Sequence, residues 1–357
     1  MMIKPLLRTL AIAFAAVLFT TACSSDSPTS SIALSQPDPG TNISGSATNS
    51  QTEASGVIYF TTTDGEMQTL TPSTGSLGML WDPALQEGRD LVLEVSAADR
   101  STGVYVLTTG PDELLDTSLT QIVDGQLQPV SSSEPTSGLV CLDTHANATT
   151  TVGHFVTPSF DNTQGTTFVQ FVLGPDADSV IELNRNSTTC PRYNSTRSVV
   201  MTSMLTTPGD VTTESVVIDG PQGTHEISID GCGLTPRTFS PGDEWALVAV
   251  VCYSENWDLS GLYAIPFADL MTVTELSEMT RIGSGVYGRT AWHPDGGWIV
   301  ANRYDAQSNQ TPARTLEDDR GSLVLISTTG DVSTYPILGQ AQPHSVHWAH
   351  DSVQAGS

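Results

Sequence analysis

The stretch "TAWHPDGGWIVAN", residues 290–302, places Pro-Asp-Gly-Gly between Trp292 and Trp298. Pro294 presets φ for the first corner of a turn, and Asp295 and Gly296 tolerate the bridging and positive-φ backbone that a chain reversal needs. Trp298 to Ala301 then form a short apolar run of the kind a strand buried on both faces shows. The stretch predicts strand, tight turn, strand.

The arrangement recurs. "TFSPGDEWALVAVV" (238–251) repeats it, and "SVHWAHDSV" (345–353) begins it again; weaker echoes are "EVSAADRSTGVYVLTT" (94–109), "VCLDTHANATTTVGHFV" (140–156) and "TTCPRYNSTRSVVMT" (188–202). With Asp99, Ala146, Tyr193, Gly242, Asp295 and Asp351 as turn positions, the spacings are 47, 47, 49, 53 and 56 residues. A near-regular period of this size, carried by strands without helical periodicity, predicts propeller blades. A second unit lies between the turns, clearest in "SGVIYFTTTDGEMQTLT" (55–71) and "GSLVLISTTGDVSTYPI" (321–337), and reads as an outer hairpin. Together the two units make an all-β fold of four-stranded antiparallel blades, six in number with seven as the alternative.

Aromatic-Ser/His-Pro-Asp-Gly-x-Trp followed by an apolar strand resembles the repeat of TolB-type propellers, and "WHPDGGWIVANR" is close to it. The resemblance covers residues 55–357 as a periodicity, with two of the six repeats matching the motif well. It implies a propeller that meets a protein or peptide partner, and fold alone does not set the function. The last segment opens a blade at Trp348 while 55–71 supplies an outer hairpin, so the two are expected to share one blade.

The amino terminus gives an address. "MMIKPLLRTLAIAFAAVLFTTAC" has Lys4 and Arg8, an apolar run from Leu10 to Phe19, small residues and then Cys23. Residues 1–22 are expected to be a secretory signal, too short for a membrane span. Its end resembles a bacterial lipoprotein signal, which implies lipidation of Cys23; Thr20 departs from that pattern, where a large aliphatic residue is usual. Residues 23–54 are rich in Ser, Thr, Gly and Pro and read as a tether with a typical reach of ~30 Å. Ser24 resembles outer-membrane sorting, so the expected location is the outer membrane, with contact to the bilayer only through the lipid.

The chain carries 39 acidic residues against 13 Lys and Arg. Removing the signal takes away Lys4 and Arg8 and no acid, so the mature chain holds 11 arginines and no lysine. Nucleic acid is excluded as a partner, because the counterion term would be repulsive. The expected form is a monomer without a cofactor.

Apart from Cys23, the cysteines are Cys141, Cys190, Cys232 and Cys252, an even number suited to an oxidising compartment. If Ser240 faces Trp245 around the turn, paired residue numbers total 485, and Cys232 with Cys252 total 484. They fall nearly opposite one another, which predicts a Cys232–Cys252 disulfide. Cys141–Cys190 would then bridge neighbouring blades.

Chemistry-bearing motifs are sparse. In "HSVHWAH", His344 and His347 have opposite strand parity and cannot converge with His350. His145, His293 and His350 fall at equivalent turns of three blades, and a metal at one channel mouth would need all three. "GSGVYG" (283–288) fits Gly-x-Gly-x-x-Gly but leads into a strand, which a dinucleotide site does not allow. "TLEDDRGS" (315–322) reads as a solvated acidic loop. The absence of a Gly-x-Ser-x-Gly elbow excludes a complete peptidase of the prolyl oligopeptidase type. Trp245, Trp292, Trp298 and Trp348 recur with the blades and are expected to pack between them. Trp81 and Trp257 lie outside the motif and are the candidate ligand contacts if exposed. Three functions remain: a non-catalytic binding scaffold for an envelope protein or peptide, a metal-dependent lyase or hydrolase acting on a polysaccharide or lactone, and a sugar- or small-ligand-binding propeller.

Overall fold

Short apolar runs separated by Gly, Pro, Asp and Ser leave the chain few options besides hairpins, and hairpins are what form. The computed structural model describes residues 54–83 apart from 63, strands between 91 and 183, residues 189–304 apart from 207–212, and strands between 321 and 349. All strands fall within the compact unit Pro39–Ser357.

The strands are β1 (Val57–Thr62), β2 (Met67–Thr71), β3 (Ser76–Trp81), β4 (Leu91–Asp99), β5 (Gly103–Thr109), β6 (Thr117–Val123), β7 (Gln126–Pro129) and β8 (Leu139–Asp143). There follow β9 (Thr151–Thr157), β10 (Thr167–Leu173), β11 (Ile181–Leu183), β12 (Arg192–Tyr193), β13 (Val200–Thr206), β14 (Thr213–Gly220), β15 (Gly223–Ile227) and β16 (Cys232–Phe239). The last are β17 (Trp245–Cys252), β18 (Gly261–Pro266), β19 (Thr280–Ser284), β20 (Val286–Trp292), β21 (Trp298–Tyr304), β22 (Gly321–Ser327), β23 (Val332–Tyr335) and β24 (Pro343–Ala349).

Among the described residues they form six four-stranded sheets. Five sheets consist of four consecutive strands, β4 to β7, β8 to β11, β12 to β15, β16 to β19 and β20 to β23; the sixth runs β24-β1-β2-β3. Every pairing is antiparallel, including β24 with β1, where Trp348 faces Ile58. The shared first and last sheet is therefore present, with one correction. The amino-terminal segment contributes three strands, because Ser76–Trp81 pairs with β2 through Leu70 and Leu77.

Where their side chains are described, strands in the middle of these sheets are largely buried on both faces, and parity divides the side chains between two cores. In β17, Ala246, Val248, Val250 and Cys252 join a cluster with Met201, Val216 and Ile218 of the preceding sheet. Leu247 and Ala249 join the cluster holding Ile299, Ala301, Val324 and Ile326 of the following sheet. In β22, Leu323 and Leu325 turn instead toward Ile58, Phe60 and Leu70. Each core thus lies between two sheets, and burying one such large side chain contributes about 1.5–3 kcal/mol.

Aromatic residues near the ends of first strands fill these wedges. Phe239, Trp292 and Trp348 are 0%, 2% and 1% exposed and belong to three successive inter-sheet cores. Trp245 and Trp298, which begin second strands, are only partly buried against the same cores. This is the inter-blade packing expected for the recurring tryptophans.

Register also settles one disulfide. Phe239 faces Ala246 and Thr238 faces Leu247, but a bulge at Arg237 moves the pairing by one residue. Beyond the bulge Cys232 lies directly opposite Cys252, and the two are disulfide-bonded. Cys190 is also disulfide-bonded. Cys141 lies on β8, of which the backbone is described.

Candidate functional site

In three sheets the first hairpin is closed by a six-residue turn of recurring geometry. In Asn194–Val199, Ser240–Trp245 and His293–Trp298 the first residue donates its N–H to the carbonyl of the sixth, at 3.1, 2.8 and 2.7 Å. The fourth residue donates to the carbonyl of the first in each, and it is the fourth that has positive φ: Arg197 at 58°, Asp243 at 55° and Gly296 at 77°. Gly242 and Asp295 are both the third residue of their turns, one place before the residue of positive φ. The first turn instead follows Tyr193, which is a strand residue.

The opening side chain accepts a backbone N–H in every case. Asn194 Oδ1 accepts from Val199, Ser240 Oγ from Glu244 and Trp245, and His293 Nδ1 from Asp295 at 3.0 Å. That bond puts the His293 proton on Nε2, which lies 3.3 Å from Ser55 Oγ, while the ring meets Trp348 edge-on at 4.9 Å. Neighbouring turns are also tied together, since Ser195 N–H donates to the Asp243 carboxylate at 3.0 Å and its hydroxyl donates to the same group.

The first strands pack on one another: β24 on β4 and β20, β4 on β8, and β16 on β12 and β20. Three of them bring arginines together. Arg192 on β12, Arg237 on β16 and Arg289 on β20 are each partly buried. Arg237 occupies the β16 bulge, and Arg289 lies in the corresponding irregularity of β20 between Tyr287 and Thr290. Bulges turn a side chain away from the alternation of an ordinary strand.

Arg237 Nη2 donates to the Tyr287 carbonyl at 2.7 Å, which links β16 to β20. Part of the residue reaches solvent, yet its Nε is buried and has no hydrogen-bond partner among the described residues. Burial first, then Arg289 and Arg192, push the guanidinium down to about 9, so it remains a cation at neutral pH. Glu214 on β14 and Tyr304 on β21 act in the opposite direction. Burial raises the Tyr304 phenol above its ordinary range, against the pull of Arg237 and Arg289. Gly288 leaves room for that phenol, because a Cβ there would stand 2.8 Å from the Tyr304 oxygen. Arg289 Nη2 also approaches Cys190 Sγ at 3.9 Å, spanning from β20 to the segment before β12.

Chemically, this arrangement is a set of directed N–H donors and a neutral phenol on adjoining strands. It suits recognition of an oxyanion. Sequence reasoning missed it. A signal exists in "CPRY", "TPRTF" and "YGRTAW", where each arginine precedes the wedge aromatic Tyr193, Phe239 or Trp292 by one to three residues.

No family model matches the sequence, and comparison with curated proteins finds no match. Among solved structures, TolB from Acinetobacter baumannii superposes with a TM-score of 0.54 over 83% of this chain and 67% of its own, at 13% identity. The fold is TolB-like. A putative TolB from Agrobacterium tumefaciens gives 0.49 over 80% and 90% of the two chains at 12% identity. A structure from a study of two prolyl endopeptidases gives 0.42 over 85% and 50% at 10% identity. At such identities the likeness concerns fold alone.

The candidates named from sequence fall in different places. Of the proposed metal set, His293 is buried with both ring nitrogens directed at protein atoms, whereas His145 and His350 lie outside the described residues. No group of three potential ligands occurs among the described residues. Trp81 is 7% exposed and packs with Met67, Val92 and Val104, so it presents no ligand-facing surface. Trp257 stands partly exposed on the short 3-10 helix Ser254–Leu259, close in sequence to Tyr253, which is 39% exposed. "GSGVYG" spans the passage from β19 to β20, with Gly285 at φ 108°, and leads into a strand as expected. Cys23 and the acidic loop at 315–320 are outside the described residues, among which no helix is long and apolar enough to cross a membrane.

Proposed function

We propose that the protein is an exported, lipid-anchored, six-bladed propeller that binds a protein or peptide of the cell envelope without catalysing a reaction. The TolB-like fold carries this reading. Pairing of β24 with β1 supports a closed ring, as do the packed first strands. Cys141–Cys190 would hold the junction of β8 with β12, since Cys190 is disulfide-bonded and β8 is the first strand of the preceding sheet. In this reading Cys23 bears the lipid, residues 23–54 form the tether, and the arginine-bearing strands face the channel.

The test is site-specific photo-crosslinking in the native envelope, because the mature chain has no lysine for amine-reactive reagents. A photoreactive residue at exposed Asp295 samples a turn of the first hairpins, and one at Thr74 samples the outer β2–β3 turn. The expected result is a discrete adduct from position 295, the same in replicate preparations and weak or absent from position 74. Adducts of equal yield and identity from both positions, or from neither, would overturn the proposal.

A further inference from the structure

We propose that Arg237, with Arg192 and Arg289, forms a carboxylate-binding site on the adjoining first strands β12, β16 and β20. This goes beyond the scaffold reading and holds for a free organic acid as well as for a peptide carboxylate.

Three observations carry the inference. The first is distribution. A mature chain with 39 acids has 11 arginines, and three of these come together at one place where their like charges oppose one another. Among the described residues, the ionised side chains acting on Arg237 are the cations Arg289 and Arg192, and the anion Glu214 acts more weakly than either. Gathering like charges in partly desolvated surroundings is unfavourable unless an anion accompanies them.

The second is geometry. A guanidinium carries five N–H donors in a rigid fork, and Arg237 commits Nη2 to Tyr287 while its buried Nε has no partner among the described residues. An edge formed by Nε and an Nη matches the two oxygens of a carboxylate. The third is placement. Arg237 and Arg289 both sit at strand irregularities that depart from regular alternation, and both keep part of their surface open to solvent.

A singly charged planar carboxylate fits better than a phosphate. The chain as a whole is strongly acidic, and Glu214 lies nearby, so a dianion meets more repulsion on approach. Tyr304, kept neutral by burial, adds an O–H beside the arginines.

The experiment is calorimetric titration of the full mature protein at fixed ionic strength, with chloride as the balancing anion. The probes are sodium acetate, sodium phosphate, N-acetyl-triglycine and the C-terminal amide of that peptide. The expected result is binding of acetate, of the free-acid peptide, or of both, with the amide at least tenfold weaker than the acid form of any peptide that binds. Acetate alone would identify a small-acid site, and tighter binding of the peptide acid would identify a peptide terminus. Arg237→Gln should weaken binding at least tenfold, and Arg237→Lys should weaken it less, since charge is kept and the fork is lost. Should Arg237→Gln fail to fold, the Nε–H resonance of Arg237 in the unaltered protein, assigned through Arg237→Lys, should shift on acetate addition. Failure of both acids to bind, equal binding of acid and amide, tighter binding of phosphate than acetate, or an unmoved Nε–H resonance would overturn the proposal.

Discussion

The turns Asn194–Val199 and His293–Trp298 differ at all six positions, yet their backbones follow the same course. Both bond the first N–H to the sixth carbonyl, both put the fourth residue at positive φ, and both begin with a side chain that accepts a backbone N–H. The second carries the Pro-Asp-Gly-Gly-Trp motif and the first carries none of it. What the structure preserves is an acceptor at the start, a left-handed residue at the fourth place and an aromatic wedge just before them. The letters of the motif are one way of meeting those needs.

If the wedge is the shared requirement, its removal should have the largest effect. Trp292→Ala and Phe239→Ala should each cost about 3–5 kcal/mol in denaturant unfolding, as both are almost wholly enclosed between sheets. Tyr193, at 6% exposure, packs on Val200 among the described residues and holds the same place before its turn, so Tyr193→Ala should cost a comparable amount. A much smaller loss at Tyr193 than at the other two positions would show that the wedge is not shared by all three turns.

A fourth first strand extends the comparison. His347 precedes the wedge Trp348, and burial pushes its imidazole down to about 4 from an ordinary 6.5. The unfolded chain then binds more protons than the folded one between those values. Stability should be full above pH 6.5 and fall by about 3 kcal/mol as pH drops toward 4, flattening below that for this group. His347→Gln should remove that part of the slope. An unchanged slope would mean that carboxylates alone govern acid unfolding.

The smallest effect concerns the fourth turn position. An L-residue pays about 1 kcal/mol or more in the left-handed region, where glycine is unstrained. Arg197→Gly should therefore stabilise by about 1 kcal/mol and Gly296→Ala should destabilise by a similar amount. Thermal unfolding of the two variants would check the pair, and shifts of the same sign would break the equivalence.

Much of the fold was legible because strands and turns are short-range features. Pro294, Gly296 and the run from Trp298 to Ala301 place a hairpin without reference to distant residues, and period then multiplies it. The Cys232–Cys252 pair was legible for the same reason, although the bulge at Arg237 that makes the two face each other leaves no mark in the sequence. Tyr193 was misread because a degenerate turn hides which position takes positive φ, and the turn begins only at Asn194. The arginine site was not legible. Its members are 45 and 52 residues apart and meet only when three sheets pack, and an isolated arginine in a strand carries no signal of where it points. Burial of Trp81 was hidden likewise, since it depends on a third amino-terminal strand and the sheet that follows it.

The proposed scaffold rests on closure of the ring. The most direct test is disulfide mapping of the unreduced mature protein by mass spectrometry of its proteolytic peptides. The account predicts two linked pairs, Cys232 with Cys252 and Cys141 with Cys190, the second joining the first strand of one sheet to the segment leading into the first strand of the next. A free Cys141, or Cys190 bonded to any other cysteine, would contradict it.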